Sequence, residues 1–435
     1  MKKTFYSSKT SYDFSPEEFA YHIINKFGIV SVSGEERLYA RDECGVSRSI
    51  TKIGIGQYIN RELKAEGIKN EISTIQKITY YVELNAPTIK HTDFNERNLI
   101  LFKNGVLNVE TDEFVDKIPD GKYFTNYTPF NYKPIPDTPI VFEKFLNDLS
   151  NCDEDMKKLL YEIIGVVISN YPGYLSKKAF LLIGPGNTGK SKYRDLLTKF
   201  VDDNSSAINF ALLDKRFSMA SVFNKRVVGS ADTSYMNIGS ITQFKLLTGG
   251  DDVDVEFKGK DSFNSGFYGL LVFCSNKYPL FSGDKGEHVY ERLCIIPCDN
   301  VIPVEKRDAL IFDKMLAEGD DIVSIAVQYL KQWINRGFVF TYPERCKEAL
   351  KEYKVRNSPE LMFYEECCVL CDKNSNPYKA VEIYDAFVEW CKRNCPDYKP
   401  SSKIFEETLA DELRVPDINC RTSKARTYIF TLKEH

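Results

Sequence analysis

Long apolar runs are missing from this 435-residue chain, and with them any expectation of a membrane span, which takes about 20 consecutive apolar residues. No apolar stretch of signal-peptide type follows Met1-Lys2-Lys3, so the expected location is the cytoplasm. Positive charge is not in excess either: 58 Lys and Arg stand against 62 Asp and Glu, a net charge of −4. That excludes a polybasic coat protein, yet it leaves room for nucleic acid held in a local basic patch or in an oligomer's channel. The 12 cysteines are scattered, which reads as reduced thiols and not as a disulfide framework. The first 95 residues also lack an Asp-x-Asp on a strand, so no carboxylate pair for metal-assisted nucleotidyl transfer is expected there.

What is present centres on Phe180 to Ser191. A short apolar strand, Phe180 to Ile183, runs into a glycine-rich turn, and a helical spacing of Tyr193, Leu196, Leu197 and Phe200 follows. Gly184, Gly189, Lys190 and Ser191 stand at the defining positions of a phosphate-binding loop, with Pro185, Gly186, Asn187 and Thr188 between them. Glycines let backbone N–H groups turn inward around phosphate oxygens, and the helix N-terminus adds its positive end. Lys190 is expected to bridge the β- and γ-phosphates of ATP, and the Ser191 hydroxyl to ligate Mg²⁺.

In chain order, residues 1–95 read as an α/β module. Ser15 caps a helix with Pro16 at its first position, and Ile29 to Val32 with Arg37 to Ala40 form a hairpin. Helices near 52–66 and 70–83 follow. Residues 96–172 open with a strand–turn–strand unit from Asn98 to Val109 and a proline-bearing connector. An amphipathic helix from Asp153 to Ser169 then carries Met156, Leu159, Leu160, Ile163, Ile164 and Val167 on one face.

Residues 173–345 read as the nucleotide domain. The next strand after the loop is expected at Arg226 to Asp232, whose terminal acid either meets Mg²⁺ or caps a helix. Val253 to Phe263 reads as a hairpin tipped by Lys258 and Lys260, a nucleic-acid contact or a plain solvated turn. Gly269 to Asn276 is an apolar strand ending in an amide, and Arg292 precedes a further strand.

Residues 346–435 form a separate piece: a charged helix, helices at 360–371 and 378–394, a helix from Lys403 to about Arg414, and two closing strands. Lys403, Arg421, Lys424 and Arg426 make this piece a DNA-facing winged helix, or else a helical protein-contact domain. Cys368, Cys371, Cys391 and Cys395 have spacings that zinc could use, but their place on an apolar helix pattern favours packed thiols.

With these residues in view, the chain resembles the superfamily 3 helicases, and among them the phage, plasmid and poxvirus primase-helicases and replication initiators of mobile islands. Gly184 to Ser191 resembles the Walker A loop, Lys225 to Val228 the run into Walker B, and Leu247 to Asp251 with the lysine-tipped hairpin the B′ motif. Phe273 to Pro279 resembles motif C, whose asparagine is the sensor, here Asn276. Glu291 to Pro297 resembles the stretch that holds the arginine finger, here Arg292, and Val381 to Cys391 the helix entering a winged-helix region. Walker B in that family usually ends in two acids or a glutamate; this chain has Ala231-Asp232.

The resemblance implies a P-loop, AAA+-like ATPase core, preceded by a helical N-terminal region and followed by a winged helix at 346–435. It implies ATP and Mg²⁺, a homo-hexameric ring on single-stranded and origin duplex DNA, 3′-to-5′ unwinding, and replication proteins of the host or element as partners. Lys190, Asp232, Asn276 and Arg292 are the implied catalytic set. The alternative is an origin-binding initiator that uses ATP as an assembly switch.

Overall fold

The computed structural model describes residues 14–33, 37–202, 204–231, 237–238, 241–259, 262–278, 280–281, 287–371, 378–395, 398–421 and 426–433. Ser15 accepts a hydrogen bond from the Glu18 amide, and the helix Pro16–Phe27 ends on Gly28 at φ 53°, so its predicted cap forms. Val30–Val32 and Leu38–Arg41 pair antiparallel as the expected hairpin. Ser47–Ile50 extends that sheet on one side, and Thr88–Ile89 joins it in parallel on the other. Helices Pro16–Phe27, Lys52–Ala65 and Ile72–Asn85 bury Phe19, Ile23, Ile59, Leu63, Ile78 and Val82 together.

Leu99–Phe102 and Gly105–Asn108 form the predicted strand pair, with Phe114–Val115 as a third strand. Ahead of the phosphate loop the described residues therefore mix strands with helices, as read for residues 1–95 and unlike the helical region that the resemblance implies. A helix at Ile140–Ser150 is a further addition. It has no side-chain cap of its own; the Glu318 carboxylate accepts from the Val141 and Phe142 amides at 2.9 Å each.

The next helix, Glu154–Ile168, was expected to bury one stripe, but every residue from Leu159 to Ile168 is buried. It lies between the helix Gly319–Asn335 and the central sheet. At Gly165 an added Cβ would stand 2.6 Å from the Ala326 carbonyl, so glycine lets the two helices close. Glu162, fully buried in this helix, is held by Arg336 and by the Thr341 amide and hydroxyl. Its carbonyl end is closed by Arg226, which donates to the Val166, Val167 and Tyr171 carbonyls and to Tyr268. Burial pushes the Arg226 guanidinium down to about 9.

The central sheet has five parallel strands in the order Leu293–Pro297, Ala179–Ile183, Leu270–Ser275, Val227–Val228, Ser205–Ser206. The sequence predicts Arg226 to Asp232 as the next strand after the loop strand. The two-residue edge strand Ser205–Ser206 comes first, and it is too short and polar to leave a period-2 signal.

Along the loop strand, Phe180 and Leu182 face one core with Leu160, Ile164, Leu196 and Leu330. Ala179, Leu181 and Ile183 face another with Phe244, Leu247 and Tyr353. Helices thus cover both faces, as a parallel sheet requires. The core on the first face runs across residue 172 without a break.

The C-terminal piece has its own core, built on Phe363, Ile383, Phe387, Phe405 and Phe430. Helix Pro359–Cys367 leads into the strand Cys368–Leu370, where a continuous helix to 371 was expected. Helices Ala380–Asn394 and Ser402–Glu412 follow, then Asn419–Arg421 paired with Arg426–Tyr428, and Phe430–Leu432 paired back on Cys368–Leu370. Cys368 and Cys391 lie in this apolar core, where burial pushes each thiol up to about 12. Among the described residues there is no group of three or more His, Cys, Asp or Glu that could hold a metal ion.

Candidate nucleotide site and nucleic-acid contacts

The loop between Ala179–Ile183 and the helix Lys190–Phe200 is shaped by close backbone approaches. A Cβ at Gly184 would stand 2.0 Å from the Cys298 carbonyl, and one at Gly189 (φ 97°) would stand 2.9 Å from the Phe145 ring. Both positions therefore need glycine. Gly186 has nothing within 4 Å of a would-be Cβ, so its backbone faces open space. The Cys298 amide donates to the Ile183 carbonyl at 2.7 Å and the Ile302 amide to the Asn187 carbonyl at 3.0 Å, which ties the loop to the neighbouring strand.

Lys190 is only 5% exposed. Its ammonium donates to the Gly184 and Pro185 carbonyls at 2.8 and 2.6 Å, to Thr188 Oγ1 at 3.4 Å and to Asn276 Oδ1 at 3.3 Å. Asn276 follows the strand Leu270–Ser275 and Lys190 opens the helix after the loop, so the two sequence-predicted residues meet at the C-terminal ends of adjacent strands. Ser191 Oγ donates to the Ala231 carbonyl at 2.8 Å, which brings the loop serine to the end of the segment expected to carry the acid. Asp232 itself lies outside the described residues. Residues 186–192, Ala231, Ser275 and Asn276 line a cavity of about 300 Å³.

Three supports of this site were not read from the sequence. Phe145 backs Gly189 from the unanticipated helix. The Tyr193 hydroxyl donates to the Leu160 carbonyl at 2.7 Å, anchoring the loop helix. Arg194 donates to the Gly229 and Ser206 carbonyls, binding that helix to two strand ends. Its place one turn beyond Lys190 was visible, but a buried arginine and a surface one look alike in sequence.

Arg292 stands elsewhere. The parallel register sets Leu293 beside Ala179 and Pro297 beside Ile183. Arg292, level with Lys178, therefore lies at the opposite, N-terminal end of the strands, about 20 Å along them from Gly184. It donates to Thr248 Oγ1 at 3.1 Å and the Lys245 carbonyl at 3.4 Å, on the last turns of the helix Thr242–Gly249. Within one chain it does not meet Lys190.

The predicted hairpin forms, with Val253–Val255 antiparallel to Phe263–Ser265. Lys258 is exposed at its tip, and Lys260 lies outside the described residues. Phe257 stacks on Phe263, and Arg37 of the N-terminal module lies over the Phe257 ring at 5.2 Å. In the C-terminal piece Lys403 is 82% exposed in its side chain, one residue beyond the start of its helix. Arg426 is bonded to Glu406 and Asn419, so a phosphate contact would have to compete with that ion pair. Arg421 closes a strand, and Lys424 lies outside the described residues. No helix among the described residues is long and apolar enough to cross a membrane.

Residues 5–151 match the family described as "D5 N terminal like", and residues 182–292 match a family of unknown function, DUF5906. The protein named "Putative helicase L207/L206" of Acanthamoeba polyphaga mimivirus is 22% identical over 445 residues, covering 87% of this chain. The chain spans 44% of that relative's length. Among solved structures, the A form of the apo NrS-1 C-terminal region is 15% identical with a TM-score of 0.55, covering 92% of this chain and 86% of that one. A second apo structure of the NrS-1 C-terminal region (305–718) is 14% identical at a TM-score of 0.55, covering 95% and 92%. These likenesses concern the fold.

Proposed function

We propose that this protein is an ATP-driven replicative DNA helicase of the superfamily 3, primase-helicase type, built on a P-loop AAA+-like core. The observation that carries the reading is the meeting of Lys190 and Asn276 over the phosphate loop, with Arg292 at the opposite end of the same strands. A nucleotide bound at one end of the strands and a half-buried arginine at the other suit a head-to-tail ring, in which each Arg292 faces the next subunit's loop. The named family match and the mimivirus relative support a role in replication.

The residues present fit a nucleoside triphosphate with Mg²⁺: the open backbone at Gly186, the buried ammonium of Lys190 and the 300 Å³ cavity are of the right kind and size. When bound, ATP supplies the phosphoanhydride whose hydrolysis drives movement, and Mg²⁺ offsets its charge. Lys190, now on the loop carbonyls, would hold the phosphate oxygens, and Ser191, now on Ala231, would be a ligand of the metal. Asp232 would share the metal with Ser191, Asn276 would orient the terminal phosphate, and Arg292 of the neighbouring subunit would stabilise its charge. Lys258 and Lys260 follow the phosphates of a single strand through the ring of six, in the 3′-to-5′ direction.

The topology of residues 359–432 supports a winged helix that reads origin duplex, with the helix starting at Ser402 and the strands around 419–428 against DNA. Replication proteins of the host or element meet this assembly in the cytoplasm. The test is ATP hydrolysis with and without single-stranded DNA, beside strand displacement on a forked duplex. Stimulated hydrolysis with unwinding is expected. Hydrolysis without unwinding transfers the reading to an origin-binding initiator that uses ATP as an assembly switch.

A further inference from the structure

Two cavities of about 610 and 1160 Å³ adjoin between the N-terminal module and the sheet domain, with His91, Thr92 and Tyr268 in both linings. The hairpin tip, at Phe257 and Gly259, forms part of the wider one. Together they exceed the ~1,000 Å³ at the upper end of small-molecule sites, so an extended chain suits them better than a compact ligand.

The linings indicate which chain. Some of their cations are already spent: Arg216 pairs with Glu256, and Lys122 with Glu96. Arg37 and Arg97 have no carboxylate partner among the described residues; each lies against a ring, Phe257 and Tyr171 respectively. In a protein of net charge −4, cations left unpaired along one trench are a local feature that favours an anionic ligand.

Two large rings are also left open, Phe217 at 42% and Tyr268 at 43% exposure. Phe217 is held at φ 64° and ψ 0°, a left-handed conformation that bulky residues seldom adopt, and the Arg216 guanidinium lies 4.8 Å from its ring centroid. Strain and exposure of one aromatic side chain cost stability twice, and neither contributes to the core.

We infer that this trench is a second track for single-stranded DNA, continuous with the hairpin, in which bases stack on Phe217 and Tyr268 and phosphates meet Arg37 and Arg97. Open rings beside a basic groove are how sequence-tolerant single-strand binding is built. The inference rests on the reading of the hairpin as a DNA contact. It gives the N-terminal module a task, since Arg37 closes the trench from that side.

The test is a titration of the full chain with labelled oligo-dT at fixed salt, for wild type, Phe217→Ala, Tyr268→Ala and Arg37→Ala, with thermal unfolding to check each variant. Each aromatic substitution is expected to weaken binding about tenfold. Arg37→Ala is expected to flatten the slope of log K against log salt by about 0.7. If wild type binds oligo-dT and hydrolyses ATP while all three variants bind as wild type does, the trench is not the track. If wild type binds no oligo-dT, the hairpin reading fails and takes the trench with it. Photocrosslinking of wild type to a 4-thiothymidine strand, mapped by mass spectrometry, does not depend on any variant folding. Crosslinks at Phe217 or Tyr268 are expected, and crosslinks confined to the hairpin tip or the C-terminal piece overturn the inference.

Discussion

Replacing Arg292 with alanine separates a trans catalytic role from a structural one. The side chain makes two long hydrogen bonds, 3.1 Å to Thr248 Oγ1 and 3.4 Å to the Lys245 carbonyl. Thr248 keeps its own bond to the Phe244 carbonyl at 2.7 Å, and the Arg292 backbone still accepts from the Ala179 amide. The loss in stability should therefore be about 1 kcal/mol or less. An arginine that faces the transferring phosphate of the next subunit is instead worth about 10³-fold in kcat, or about 4 kcal/mol of barrier. The two effects differ enough for a phosphate-release assay and a melting curve to tell them apart.

Mixing supplies the decisive arm. In rings assembled from equal parts of Arg292→Ala and Lys190→Ala subunits, about a quarter of interfaces pair an intact loop with an intact arginine, so activity should return towards a quarter of wild type. Mixed rings demonstrated by native mass spectrometry and lacking any rescue would refute the trans assignment. So would an Arg292→Ala protein that hydrolyses ATP at the wild-type rate.

Three further outcomes are expected. Gly184→Ala should cost at least about 2 kcal/mol and abolish nucleotide binding, because the new methyl would stand 2.0 Å from the Cys298 carbonyl; calorimetry and ATP titration read both. Asp232→Asn should retain ATP binding and slow hydrolysis, and an unchanged rate would move the metal site to another acid. Truncation after residue 358, where the C-terminal core begins, should spare single-strand-stimulated hydrolysis and remove the preference for one origin duplex. Loss of Lys258 and Lys260 together should do the reverse, read by salt-controlled titration on origin, scrambled and single-stranded DNA.

The parts of the fold that could be read from the sequence are those whose causes are local. The phosphate loop is one: its glycines, its lysine and the helix that follows lie within a dozen residues, and each position answers to its neighbours' backbone. The capped helix at Pro16–Phe27 and the hairpin at Val253–Ser265 are others. The strand order could not be read, because Ser205–Ser206 contributes two polar residues to an edge strand and is held by distant partners, the strand Val227–Val228 and the Arg194 guanidinium. The residue that backs Gly189 was also out of reach, since Phe145 lies 44 positions before it on a helix with no start signal of its own.

The two helices packed beneath the loop show why. Ile140–Ser150 begins after a proline with no capping side chain, and its first amides are satisfied by Glu318, which is 177 positions from Val141. Glu154–Ile168 ends on a serine, and its last carbonyls are taken by Arg226, which is 60 positions from Val166. A buried helix end must find partners for its backbone groups, but nothing requires those partners to be close in sequence. Arg226 directly precedes the strand Val227–Val228, so the group that closes one helix also fixes the start of the strand leading to Ala231 and Ser191. The resemblance to a Walker B approach singled out Lys225 to Val228 for the acid that follows. The structure gives Arg226 a separate reason to be there, which is to hold the core helix, the sheet and the nucleotide loop in one register.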